Sequence, residues 1–130
     1  MKGQTAVEMI IYIGFMMLIL TVAMVSIVDR EIILRQERIG MDSKAVAETV
    51  ASEINIALSV GNGYSHSFYL PDTLFGEVNY TIYIESNAQR VVIDWEDRST
   101  FLPILTASVT GDPKKGYNKI INQGGVITIE

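Results

Sequence analysis

Glu8 is the only charged side chain between Gly3 and Asp29, and it stands just before twenty residues, Met9 to Val28, that carry no charge. A carboxylate at the centre of a membrane-spanning helix costs about 2.5–3.5 kcal/mol on insertion scales, and less towards the interface. An acid in that position therefore calls for a partner. Gln4 lies four residues earlier, and residues i and i+4 share a helix face with their Cβ atoms about 5–6 Å apart. A cut between Gly3 and Gln4 would give Gln4 an α-ammonium, the opposite charge to Glu8. The pair could form within one chain or between the Gln4 ammonium of one subunit and the Glu8 of its neighbour. A carboxylate in the first turns also meets the positive end of the helix dipole and its unpaired N–H groups. The chemistry on offer is charge pairing in an apolar medium, where burying either charge alone is costly and the pair can set the register between helices.

Elsewhere the chain offers less. It has no cysteine, and therefore neither a disulfide nor a thiolate metal site. Its single histidine, His66, sits in "GYSHSF" with no acid nearby in sequence, and reads as an exposed loop or strand residue. "DWED" places Asp94 and Glu96 on one strand face with Asp97 adjacent, oxygens that could contribute to a Ca²⁺ site. It lacks the dense Asp/Gly spacing of a dedicated calcium loop, so a solvated strand end is the simpler reading. No nucleophile elbow, phosphate loop or HExxH occurs. These patterns predict no enzyme, no cofactor and no metal. Asn79-Tyr80-Thr81 is the one N-glycosylation sequon. With a net charge of −5 and only Lys114 and Lys115 adjacent, nucleic acid is not an expected partner.

These residues need elements to position them. At ~1.5 Å per residue, a helix over Met9–Val28 covers about 30 Å, the thickness of a bilayer's hydrocarbon core. After Val28 the charges alternate in sign and the apolar residues recur at helical spacing. Ile39, Val46, Val50, Ile54, Ala57 and Leu58 form a stripe that predicts an amphipathic continuation over 29–60, with Gly40 a possible bend and Gly61-Asn62-Gly63 the stop. The helix is expected from about Thr5 to Ser59.

From Tyr64 the period shifts towards two. Tyr80, Ile82 and Ile84 share one face of "NYTIYIES", and Val91, Ile93 and Trp95 one face of "QRVVIDWE", so the pair reads as a β-hairpin across Asn87-Ala88. Trp95 and the tyrosines read as core. Further strands are expected near 67–70, 101–109 and 125–129, with Pro103 at an edge or bulge and "TGDPKKGYN" as a turn cluster. The fold class is α+β: a long N-terminal helix followed by a small antiparallel sheet of four to five strands at 61–130, packed on the helix's second half. A β-sandwich on a helical stalk is the rival architecture.

Three readings of the N-terminus fit the composition. A secretory signal could be cut near Thr21-Val22-Ala23, but the apolar run is longer than such signals use. A plain single-pass anchor explains the run and leaves Glu8 unexplained. The third is the cut after Gly3. Here Lys2, Gly3, Gln4 and Glu8 in "KGQTAVE" resemble the class III signal peptide of archaeal type IV pilin-like proteins. In that family a short basic stub ends in Gly, Gln follows the cut, and Glu is the fifth mature residue. Ala6 stands where many members have Ser. The resemblance is specific over residues 2–28 and architectural beyond. It implies a leader at 1–3 removed by a prepilin-type signal peptidase, with processing residues Lys2, Gly3 and Gln4. It also implies an assembly helix at 4–28 that waits in membrane lipid before packing with other pilin subunits, Gln4 and Glu8 being the assembly residues. The C-terminal domain would lie outside the cytoplasm in an extracellular filament with a role such as cell adhesion. A membrane-anchored surface binding module, or a non-polymerising accessory subunit of a pilus or archaellum-type machine, is the alternative.

Overall fold

The computed structural model describes residues 2–106 and 108–130, with Lys2 described for its backbone only. A single helix, α1 (Lys2–Val60), is followed by seven strands: β1 (Ser65–Leu70), β2 (Tyr80–Glu85), β3 (Arg90–Trp95), β4 (Arg98–Pro103), β5 (Val109–Thr110), β6 (Gly116–Gln123) and β7 (Val126–Ile129). The architecture is α+β, as the periodicity predicts. By contacts the chain divides between Glu37 and Arg38.

Within the unit Arg38–Glu130, the second half of α1 buries the predicted stripe. Ile39, Val50, Ile54 and Ala57 are fully buried, Val46 nearly so, and Leu58 packs against the same core. Ser43, Ala47 and Ala51 widen it. Gly40 does not interrupt the helix. A Cβ there would make ordinary contact with the Trp95 ring, at 3.9 Å. The helix stops where Gly61 adopts φ +89°, a left-handed conformation that glycine takes without a Cβ penalty, and its N–H caps the Ala57 carbonyl at 3.1 Å.

The strands form two sheets rather than the expected single one. One has the order β1-β6-β7-β5 and the other β2-β3-β4. All pairs are antiparallel except β5–β7, which is parallel. Residues of both sheets and of α1 share one core. In the β2–β3 hairpin the predicted inward faces meet in register, Tyr80 opposite Trp95, Ile82 opposite Ile93 and Ile84 opposite Val91. Its connection is a 3₁₀ turn, Ser86–Ala88, ending in Gln89 at φ +51°. Trp95 and Tyr80 are buried, as expected, but Tyr69 and Tyr117 are exposed and meet edge to face at 5.1 Å, against the expectation that the tyrosines are core.

Three further expectations about the strands fail. The strand predicted at 101–109 is instead β4, which ends at Pro103, and the two-residue β5; Ala107 lies outside the described residues. Pro103 has no N–H to continue a ladder, and β4 is an edge strand. "DWED" is not one strand face, because β3 ends at Trp95 and Glu96 turns the chain at φ +49°. The end of the "TGDPKKGYN" turn cluster belongs to β6, which was not predicted. This strand is central in its sheet, and its inward positions are Asn118, Ile120 and Asn122, so polar residues occupy two of three core-facing sites.

Those asparagines are satisfied by backbone. Asn122 donates from Nδ2 to the Ala57 carbonyl at 2.7 Å, and its Oδ1 accepts from the Gly125 N–H at 3.0 Å. Asn118 closes the Lys114–Gly116 turn, accepting from the Lys114 N–H at 2.7 Å and donating to two carbonyls. Gly111, at φ +85°, packs so closely on the Ile129 carbonyl that a Cβ would collide with it. Removing a buried partner leaves desolvated polar groups unpaired, at about 1–3 kcal/mol. Asn122→Ala is therefore expected to destabilise the domain by about that amount. Trp95, the sole tryptophan and buried, reports this as a lower denaturation midpoint of the full chain in detergent; an unchanged midpoint would refute the role given to Asn122.

Candidate functional site

The first half of α1 is built unlike the second. Its large apolar side chains from Val7 to Leu34 are 49–71% exposed. An 18-residue window reaches a mean hydropathy of 2.5, and none of it is buried. The helix is thus long and apolar enough to cross a membrane, a property shared with signal sequences. Soluble proteins rarely expose contiguous apolar surface on this scale, so the segment calls for lipid or partner helices as its cover.

Polar atoms inside the segment are turned back onto the helix. Thr21 Oγ1 donates to the Met17 carbonyl at 2.8 Å, and Ser26 Oγ to the Val22 carbonyl at 2.9 Å. Both hydroxyl protons are satisfied internally, as an apolar solvent requires. Glu8 is exposed and makes no ion pair among the described residues. Gln4 and Glu8 both lie within α1, so the i, i+4 spacing places them on one face. Gly3 is also helical, and a Cβ at Gly3 would meet nothing within 4 Å. The helix therefore begins before the predicted Thr5 and takes the Gly3–Gln4 bond into its first turns. The Lys2 side chain lies outside the described residues.

In the domain, the fold brings together a cluster that sequence inspection missed. His66 Nδ1 lies 3.0 Å from Glu53 Oε2, and the Tyr64 hydroxyl donates to the same oxygen at 3.3 Å. His66 is an exposed strand residue, as read, but its acid comes from α1, thirteen residues earlier. Glu53 lies off the apolar stripe, and no local pattern links it to β1. Burial, with the Glu53 carboxylate adding, pushes the Tyr64 phenol above its usual range.

The "DWED" acids do not converge. Ser99 Oγ donates to Asp94 Oδ1 at 2.6 Å, and no group of three or more metal-ligating side chains occurs among the described residues. A cleft of about 530 Å³ runs between α1 and the end of β4, and its one ionisable lining side chain is Glu48. Asn79 is exposed just before β2, its Oδ1 accepting from Lys115 Nζ at 3.2 Å.

Compared with protein-family models, curated proteins and solved structures, the chain matches none.

Tyr80 gives the domain a titration that can be read. Its hydroxyl donates to the Pro71 carbonyl at 2.5 Å, and Lys115 Nζ lies 5.0 Å from its ring centroid. Burial pushes the phenol from 10.0 up to about 12, with Asp72, Asp42 and Tyr69 adding to the shift. The folded state then holds the Tyr80 proton more tightly than the unfolded chain does. The resulting stability is complete below about pH 10 and is lost as the pH rises towards about 12. The Trp95-detected midpoint of the wild type should fall over that range, and that of Tyr80→Phe should fall less; equal slopes would remove Tyr80 as the cause.

Proposed function

We propose that the chain is a structural subunit, a pilin, of an extracellular type IV pilus-like filament, processed after Gly3 and assembled through its N-terminal helix. The observation that carries this reading is the Lys2-Gly3-Gln4-Glu8 constellation, set at the head of a helix whose apolar surface lacks a protein cover. In this account a prepilin-type peptidase releases the Gln4 α-ammonium. The helix then passes from lipid into a bundle of like helices. Lipid and bundle are both apolar, so the transfer gains little hydrophobic energy, and van der Waals packing and charge pairing decide it. The Glu8 of one subunit pairs with the Gln4 ammonium of its neighbour.

A second reading rests on one observation. The Gly3–Gln4 bond lies inside a helical turn, and a protease must unwind such a turn before cutting it. An uncut, single-pass anchor presenting the domain as a surface binding module accommodates this without further assumption.

Intact mass of the membrane-extracted protein separates the two: a chain beginning at Gln4 supports processing, and a chain beginning at Met1 supports the anchor. Glu8→Leu is expected to leave membrane insertion unchanged, because a leucine inserts more easily than a carboxylate. It should sharply reduce filament yield in electron micrographs of sheared cell-surface material. Wild-type yield from Glu8→Leu would remove the role proposed for Glu8.

A further inference from the structure

We infer that Asn79 carries an N-linked oligosaccharide and that the glycan caps the open edge of the three-stranded sheet. This rests on the proposed function in one respect: the domain must reach the compartment where oligosaccharide is transferred.

The sequon alone says only that the residues are present. The fold adds the disposition of their atoms. Asn79 and Thr81 are both exposed and flank the buried Tyr80, so strand alternation turns them to one face. Lys115 Nζ lies 3.2 Å from the Asn79 side-chain oxygen. An ammonium donates and cannot accept, so the amide oxygen must face it and Nδ2 is the atom left over. Among the described residues neither Asn79 Nδ2 nor the Thr81 hydroxyl has a hydrogen-bond partner. The nucleophilic nitrogen and the hydroxyl that defines the motif are both available.

Space and polarity suit a sugar as well. A recess of about 230 Å³ lies against Asn79, with Thr81, Asp94 and Glu96 among its lining residues. Their oxygens can accept hydrogen bonds from sugar hydroxyls. The strand order β2-β3-β4 leaves β2 at an edge. Its far end is covered, since Asp112 Oδ1 accepts the Ile84 N–H at 2.9 Å. The Asn79–Thr81 end has no such cover among the described residues, and an open edge is a template for pairing with other chains. A bulky polar group on Asn79 blocks that approach.

The donor is a lipid-phosphate-linked oligosaccharide. Asn79 Nδ2 forms a bond to the anomeric carbon as the carbon–oxygen bond to phosphate breaks. The lipid phosphate leaves with the electron pair, and a base of the transferase takes one Nδ2 proton.

The test is intact mass and peptide mapping of the full chain, isolated from its native membranes or filaments, together with Asn79→Gln, Thr81→Ala and Thr81→Ser. The wild type should be heavier than its polypeptide, with the added mass on the Asn79 peptide. Asn79→Gln and Thr81→Ala should return to polypeptide mass, while Thr81→Ser keeps the addition. An Asn79 peptide at its unmodified mass overturns the inference. The N-terminus in the same spectrum keeps the two ideas apart. A start at Gln4 with Asn79 bare overturns the glycan alone. A start at Met1 with Asn79 bare overturns pilin-like processing too, and a start at Met1 with the addition supports the glycan and overturns only that processing.

Discussion

Hydrophobic burial acts on α1 in two incompatible ways, and the rest of the chain follows from that division. Between Ile39 and Ala57 the apolar stripe is withdrawn from water by both sheets, and each large side chain buried this way is worth about 1.5–3 kcal/mol. Between Val7 and Leu34 apolar side chains point in every direction around the helix. A stripe can be covered by one small domain, but an apolar surface on all sides needs a surrounding medium. One continuous helix thus carries a half that the chain can satisfy alone and a half that it cannot.

The covered half belongs to a domain without disulfides, and short polar side chains take over much of the cross-linking. Asn55 accepts the Leu105 N–H, Asn62 the Gly124 N–H, Asp42 the Phe75 N–H and Asp112 the Ile84 N–H. Each joins segments at least 28 residues apart. The first three take up loop N–H groups and the last one on the open edge of β2, so a side-chain acceptor stands where the backbone offers no ladder partner. Asp42 shows what this permits. Its carboxylate holds the N–H of Phe75 at 2.6 Å while that residue sits at φ +49°, an unfavourable conformation for a bulky side chain. The Arg38 guanidinium, 5.8 Å from the Phe75 ring centroid, adds a cation–π contact.

The same substitution of polar for apolar groups decides how much of the fold can be read from sequence. The helix, its stripe and the β2–β3 hairpin are legible because most of their apolar residues keep period 3.6 or 2; Val92, buried between Val91 and Ile93, and the exposed Met41 and Ile56 depart from it. β6 is illegible for the converse reason: Asn118 and Asn122 stand where alternation asks for apolar residues, and only the tertiary structure supplies their partners. β5 is two residues long and pairs in parallel with β7, a contact with no local signature. Splitting one expected sheet into two follows from that missed central strand, without which nothing joins β1 to the β7–β5 pair. At the N-terminus, the spacing of Gln4 and Glu8 is plain in the sequence because it is a local helical relation. The Glu53–His66 contact is not, since it joins a helix to a strand.

Two properties of the uncovered half bear on what can surround it. Thr21 and Ser26 spend their protons on the helix's own carbonyls, so neither hydroxyl directs the choice of partner by an unmet donor. Gly14 has open space where a Cβ would stand, but no second glycine is spaced to make a GxxxG contact with it. The segment therefore offers apolar contact on all sides and little geometric preference among them. Lipid and a bundle of like helices serve nearly equally well by that measure, and the balance between them falls to whatever is not apolar. Between Gly3 and Asp29 the one charged group is a carboxylate, Glu8. On the proposed reading, a segment so uniform would give a single charge unusual influence over where the helix resides, because so little else near it discriminates.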